Sequence, residues 1–276
     1  MKRILTFILT LTLALSFCVN SFAAATTATA SETQTGTSEA QTDTSKTQAG
    51  TSEAQTDTSK VQAGASYGIS NLSGAPDIVA ESAVVMDANT GTILYGKEAD
   101  TKRYPASITK VMTALLAVEN CKMSDVITYS NAAVNGIEAG SSTAGINVGA
   151  KLTVEDSLYA LMLVSANEAA AAIAEHISGS TTEFAKLMTK RAKELGCTNT
   201  HFANPHGLQD ENHYTTAHDM ALIAQAAYQN ETFRIIIGTK MYTIPPTNKH
   251  AEETVLRNHH DMLCTYHNAN RKYLYP

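Results

Sequence analysis

The sequence has no strong excess of either charge: 20 Lys and Arg stand against 26 Asp and Glu, a net charge of −6. That balance and the lack of a basic stripe argue against nucleic acid as a partner. Four cysteines are too few for a disulfide framework. H-E-x-x-H and comparable zinc spacings are missing, and His259-His260-Asp261 with His267 matches no standard ligand pattern, so no metal or other cofactor is expected. The one long apolar run, residues 4–19, is broken by Thr6, Thr10 and Thr12 and is barely long enough to span a bilayer, which argues against a retained membrane helix. What is present is 276 residues at 43% hydrophobic content, enough for one well-cored domain of about 200 residues with extensions.

The extensions come first. Met1-Lys2-Arg3, the apolar run and the small residues Ser21, Ala23, Ala24 and Ala25 read as a secretory signal peptide, residues 1–25, cut after Ala23 or Ala25. Export to the extracellular face of the cell envelope follows as an expectation. A lipoprotein signal at Leu15-Ser16-Phe17-Cys18 fails because bulky Phe17 stands where a small residue is needed. Loss of Cys18 leaves Cys121, Cys197 and Cys264, an odd number, so at least one thiol is free or pairs outside the chain; all three read as small buried hydrophobes. Residues 26–66 are rich in Ser, Thr, Ala, Gln and Gly, and the run from Gly36 to Lys46 recurs from Gly50 to Lys60. Without a periodic apolar face nothing offsets the entropy of ordering, which predicts a disordered spacer rather than a solenoid. The folded domain is then 67–276.

Within it, Ser82-Ala83-Val84-Val85-Met86-Asp87 and Thr92-Ile93-Leu94-Tyr95-Gly96 predict a hairpin turned at residues 87–91. Tyr104-Pro105-Ala106-Ser107-Ile108-Thr109-Lys110 then leads into the apolar run Val111 to Val118. Pro105 suits the approach to a helix better than its interior, so Ser107 falls in the first turn and Lys110 one turn on, about 5–6 Å apart at Cβ. The same four residues fit a capping serine followed by a surface lysine. A lysine opening a helix buried on most sides, however, needs a reason to be there. Desolvation favours its neutral amine, which can take a proton from the serine. Thr153 and Asp156 predict a cap for a helix through Leu158, Leu161 and Met162, and a polar, Gly-containing region fills 130–149. Helices follow at 168–177, 183–195 and 216–228, then strand-like Ile235-Ile236-Ile237 and Met241-Tyr242-Thr243-Ile244.

A second chemical signal, Ser165-Ala166-Asn167, falls between two of these helices. A serine there can relay a proton to a leaving amine, and an asparagine can hold an amine and a substrate amide. With these two motifs stand Leu195-Gly196-Cys197-Thr198-Asn199-Thr200-His201-Phe202, Asn204-Pro205-His206-Gly207-Leu208 and His213-Tyr214-Thr215-Thr216-Ala217-His218-Asp219. From about Ile78 onward the sequence resembles the serine D-alanyl-D-alanine carboxypeptidases, the low-molecular-mass penicillin-binding proteins (peptidase S11), whose motif set is S-x-x-K, an S-D-N-type triplet and K-T-G. The resemblance implies an α+β, DD-peptidase/β-lactamase-like fold: a five-stranded antiparallel sheet flanked by helices, plus a mostly helical lobe, with the site between them. It implies Ser107 as the acylated nucleophile, Lys110 as its base, Ser165 in proton transfer and Asn167 in substrate binding. It implies peptidoglycan stem peptides ending in D-Ala-D-Ala as substrates and β-lactams as acylating inhibitors.

One departure qualifies it. No K-T-G is found; Gly238-Thr239-Lys240 is that triplet reversed and presents neither backbone nor side chains equivalently. Asn268-Ala269-Asn270-Arg271 resembles the family segment just before the K-T-G strand, so the expectation is a catalytic domain that stops short of its last sheet strands and carries no membrane-anchoring tail. Two other functions stay open: a non-catalytic relative that binds wall peptide, and a β-lactamase. The second would need a water-activating glutamate, and Glu253-Thr254-Val255-Leu256-Arg257-Asn258 matches such a loop poorly.

Overall fold

The computed structural model describes residues 78–260 and Leu263. The expected export signal and repeat spacer, Asp261, Cys264, His267 and Asn268-Ala269-Asn270-Arg271 lie outside the described residues. All described residues belong to the second of two units of the chain, Thr58–Pro276.

The hairpin comes first. β1 (Ala83–Met86) and β2 (Ile93–Lys97) pair antiparallel, with Val85 opposite Tyr95 and the register shifting between Val85 and Met86. Its turn is where the sequence predicts it: Asp87 Oδ1 accepts from the amides of Asn89 at 3.0 Å and Thr90 at 2.7 Å. Gly91, at φ +73°, adopts the left-handed conformation that few other residues take freely.

The remaining elements are α1 (Lys110–Asn120), β3 (Val126–Thr128), α2 (Asn131–Asn135), β4 (Lys151–Thr153), α3 (Val154–Leu163), α4 (Asn167–Ser178), α5 (Thr181–Glu194), α6 (Ala217–Tyr228), α7 (Glu231–Gly238), β5 (Met241–Ile244) and β6 (Thr254–Arg257). Helix α1 is the centre. Apolar or small side chains occupy most of its circumference, Lys110 and residues 112–117 are buried, and α3, α4, α5, α6 and α7 all pack on it. Met112, Leu115, Leu116, Leu158, Leu161, Ile173, Phe184 and Met188 are fully enclosed, each worth roughly 1.5–3 kcal/mol of burial. Ala169 to Ala172 and Ala174 let α4 approach its neighbours closely.

Local chemistry sets the helix starts. Thr153 Oγ1 accepts from the Asp156 amide at 3.0 Å while Asp156 Oδ2 accepts from the Thr153 amide at 3.2 Å, the capping box expected for α3. Ser180 and Thr216 cap α5 and α6 through their side-chain oxygens, which accept from the Glu183 and Asp219 amides. The other oxygen of Asp156 accepts from Tyr242 Oη at 2.8 Å, and Tyr242 stacks on Tyr159 with ring centroids 3.7 Å apart. These contacts fasten the β5–β6 hairpin onto α3. At its tip, Asn248 Oδ1 accepts from the Lys151 amide at 2.8 Å and its Nδ2 donates to the Gly149 carbonyl at 2.9 Å.

Several expectations are corrected. Ile235-Ile236-Ile237 is helical, inside α7, although three β-branched residues in a row read as strand. Asn230 caps the helix by accepting from the Phe233 amide at 3.1 Å. Phe233 and Ile236, one turn apart, then enter the core while Ile235 stays 56% exposed. Helical burial outweighs strand propensity here. The polar, Gly-containing region 130–149, to which the sequence assigned no element, holds α2, and its flanks pair as β3 and β4 across it. Each sheet among the described residues has two strands, so the five-stranded sheet implied by the resemblance is not assembled there. Cys197 is buried and its thiol pushed up to about 12, whereas Cys121 is only half-buried against the core; both are free thiols.

Candidate active site

Ser107 stands in a 3-10 turn, Ala106–Thr109, that runs directly into α1. The turn is reached through a strained backbone, since Ala106 adopts φ +48°. Ser107 is exposed, while Lys110, the first residue of α1, is 2% exposed. Lys110 Nζ lies 3.2 Å from Ser107 Oγ and donates to the His206 carbonyl at 2.9 Å. Burial brings the Lys110 ammonium down to about 8 from its usual value, and the negative charge of Glu168 opposes part of that fall. A serine hydroxyl thus sits beside an amine that loses its proton not far above neutral pH. The N-terminal end of α1, where peptide dipoles favour negative charge, lies next to it.

The loop Asn204-Pro205-His206-Gly207-Leu208 forms one wall. Asn204 Oδ1 accepts from the amides of His206 at 3.3 Å and Gly207 at 2.7 Å, and its Nδ2 donates to the Leu208 carbonyl at 2.9 Å. This side-chain clamp turns the His206 carbonyl toward Lys110, and Thr113 Oγ1 donates to the Pro205 carbonyl at 2.6 Å. Gly207 has φ +88°, and a Cβ there would collide with the Ala106 carbonyl. Only glycine lets this loop lie against the turn that carries Ser107.

Two histidines support the same wall. His213 Nδ1 accepts from the Ala203 amide at 3.1 Å, so the neutral ring donates from Nε2 to Thr109 Oγ1 at 2.8 Å. His206 Nδ1 accepts from the Leu208 amide at 3.2 Å. Burial, chiefly, pushes both rings down to about 4. Since an unfolded histidine titrates near 6.5, the unfolded chain takes up protons between about pH 6.5 and 4 that the fold refuses. Stability is therefore present above that window and is lost as pH falls through it. We expect the melting temperature to drop by about 2–4 °C or more between pH 7 and 5. A flat melting temperature across that range would show that the two rings accept protons in place.

The second motif lies where α3 hands over to α4. Ser165 has φ +59° and is buried, and its Oγ has no hydrogen-bond partner among the described residues. Asn167, also buried, is the first residue of α4, and its amide donates to the Ser142 carbonyl at 3.0 Å. Helix α4 packs against α1, so the two motifs occupy neighbouring elements, but the structure joins only Ser107 and Lys110 by a direct hydrogen bond. Glu253 is exposed and precedes β6.

Sequence reasoning missed Glu168, the His206 carbonyl and the Thr109–His213 pair. A glutamate opening an Ala-rich helix was a legible signal for the first, because a buried carboxylate needs partners. The others depend on contacts 96 and 104 residues apart and left no local trace.

The architecture is that of the DD-peptidases. The crystal structure of the Streptomyces K15 DD-transpeptidase superposes with a TM-score of 0.64 at 34% identity, covering 69% of this chain and 78% of that one. A D-alanyl-D-alanine carboxypeptidase structure from Mycobacterium tuberculosis gives 0.63 at 30% identity, over 69% and 70%. The profile of the D-alanyl-D-alanine carboxypeptidase family, peptidase S11, matches residues 70–272, and the chain belongs to that family. A D-alanyl-D-alanine carboxypeptidase of Bacillus subtilis is 42% identical over 165 residues, 58% of this chain and 42% of that protein. The one from Streptomyces K15 is 34% identical over 206 residues, 70% of this chain and 71% of its own length. The chain thus spans about two fifths of the Bacillus subtilis relative.

Proposed function

We propose that this chain is a serine D-alanyl-D-alanine carboxypeptidase acting on peptidoglycan stem peptides outside the cytoplasmic membrane. The observation that carries the reading is Lys110 Nζ at 3.2 Å from Ser107 Oγ, buried enough to release its proton at about 8. Membership in the family and the names of its relatives support the substrate class. In this reading the neutral Lys110 amine removes the Ser107 proton as Oγ attacks the carbonyl of the penultimate D-alanine. The tetrahedral intermediate collapses by breaking the C–N bond, and the terminal D-alanine leaves with a proton delivered through Ser165. Water then hydrolyses the ester at Ser107, its proton passing back through the same base. Asn167 orients the substrate amide. A β-lactam would acylate the same oxygen, but its leaving nitrogen stays tethered to the acyl group.

The test is D-alanine release from a peptide ending in D-Ala-D-Ala, run beside penicillin labelling and β-lactam hydrolysis. Release of D-alanine together with a stable penicillin adduct is the expected result. Binding of the peptide without release or labelling would make the chain a wall-peptide binder. Rapid turnover of the β-lactam would make it a β-lactamase.

A further inference from the structure

The buried carboxylate of Glu168 has no part in the reading above, yet the fold arranges considerable structure around it. It is 2% exposed in the first turn of α4, one residue after Asn167. Its Oε1 gathers three donors from the segment that crosses over the second motif: Thr143 Oγ1 at 2.7 Å, the Ala144 amide at 2.7 Å and the Ile146 amide at 3.5 Å. Thr143 Oγ1 in turn accepts from the Gly145 amide at 2.9 Å. The segment is bounded and bent by Gly140 and Gly145, both at positive φ, and its Ser142 carbonyl holds the Asn167 amide. It has no regular secondary structure, and Ser142, Thr143 and Gly145 are exposed. Oε2 is buried and has no hydrogen-bond partner among the described residues.

A carboxylate sealed from water with one oxygen unbonded is costly, and nothing in packing alone requires an acid there. A neutral amide could cap the same three donors through its own oxygen. The charge is what distinguishes glutamate, and two groups feel it: the buried Tyr129 phenol, whose ionisation it further opposes, and Lys110, on the helix packed against α4.

We propose that Glu168 is a positioning residue of this active site, which fastens the segment 142–146 over Ser165–Asn167 through Oε1 and acts on the Lys110 amine through its charge. The proposal deepens the acyl-transfer reading, because it assigns to Glu168 control over the group read as the base. Among the described residues, Glu168 on α4 and His206 on the 204–208 loop are the titratable groups facing Lys110. His206 stays neutral down to about 4, so above that pH Glu168 is the neighbour that sets the field at the amine. The burial of Lys110 lowers its proton affinity and Glu168 raises it. Together they keep the group chargeable near neutral pH rather than permanently neutral.

Two variants separate anchor from charge. Glu168→Gln keeps an acceptor for Thr143 and Ala144 and removes the charge; Glu168→Ala removes both. The direct readout is the titration of the Lys110 ε-methylene signal by NMR in the full chain, assigned by its loss in Lys110→Arg, which requires no catalysis. In Glu168→Gln the midpoint should fall by about 1 pH unit, as loss of a nearby opposite charge dictates. The acid limb of Ser107 labelling by penicillin should move by the same amount. In Glu168→Ala, amide exchange at Ala144 should accelerate and labelling should fall by about 10²-fold, the scale of a small misplacement at a reacting centre. An unmoved Lys110 midpoint in Glu168→Gln would overturn the proposal, whatever the alanine variant does, and would leave Glu168 a structural anchor. A parent chain that titrates normally at Lys110 but is never labelled at Ser107 would instead refute the acyl-transfer reading, and the shift in Glu168→Gln would still decide this one.

Discussion

Ser107→Ala is expected to leave the fold intact and to abolish covalent labelling by penicillin. Ser107 is exposed and its hydroxyl makes one hydrogen bond, to Lys110, which keeps the His206 carbonyl at 2.9 Å as its second partner. Removing an exposed hydroxyl changes stability within about 0.5 kcal/mol, so the melting temperature should hardly move. Chemically the loss is large, because among the described residues Ser107 is the one hydroxyl bonded to the buried amine. Removal of a serine nucleophile costs on the order of 10⁶-fold in turnover. The measurement is intact-protein mass after incubation with penicillin, followed by peptide mapping. An adduct that survives the substitution, or that maps to Ser165, would show that the acylated residue is misassigned.

Lys110→Arg comes next in size. A guanidinium keeps the positive charge and a donor for His206, but it is effectively never deprotonated. If Lys110 acts as a general base, acylation falls by ~10²–10⁴-fold, the usual contribution of such a group. The pH profile gives a second, independent sign. In the parent chain labelling should climb with pH through about 8, where the amine loses its proton. In the arginine variant that climb should vanish, leaving a slow and nearly level rate. Arginine is bulkier than the pocket's lysine, so the melting temperature must be followed alongside. Near-parental labelling with a level profile would show that position 110 needs only a fixed positive charge.

Much of the frame was legible from short spacings. The Asp87 turn, the Thr153–Asp156 capping box and the helices from Lys110, Asn167, Thr181 and Ala217 each follow from residues within one or two turns of one another. Where the reading went astray, the cause was competition between local and distant terms. Ile235-Ile236-Ile237 carries the propensity of a strand. The Asn230 cap and the burial of Phe233 and Ile236 outweigh it. β3 and β4 are three residues each, too short for a periodic signature, and exist because their partner is there.

The same division runs through the site. That Ser107 and Lys110 share one face was legible in the sequence, because residues three apart at the start of a helix are neighbours; that their side chains meet is shown by the structure. That Lys110 would be dry was indicated too, by the run of apolar and small residues after it, which only Thr113 interrupts. What the amine faces in that dry place was decided only by tertiary structure. The His206 carbonyl arrives from 96 residues away, through a loop that fits against Ala106 because Gly207 has no Cβ. The Glu168 charge arrives from another helix, held by a segment 22 to 25 residues earlier in the chain. Contacts of that kind have no period and no fixed spacing. Their partners are chosen by how helices pack, and a pattern read along one strand of sequence carries no record of that choice.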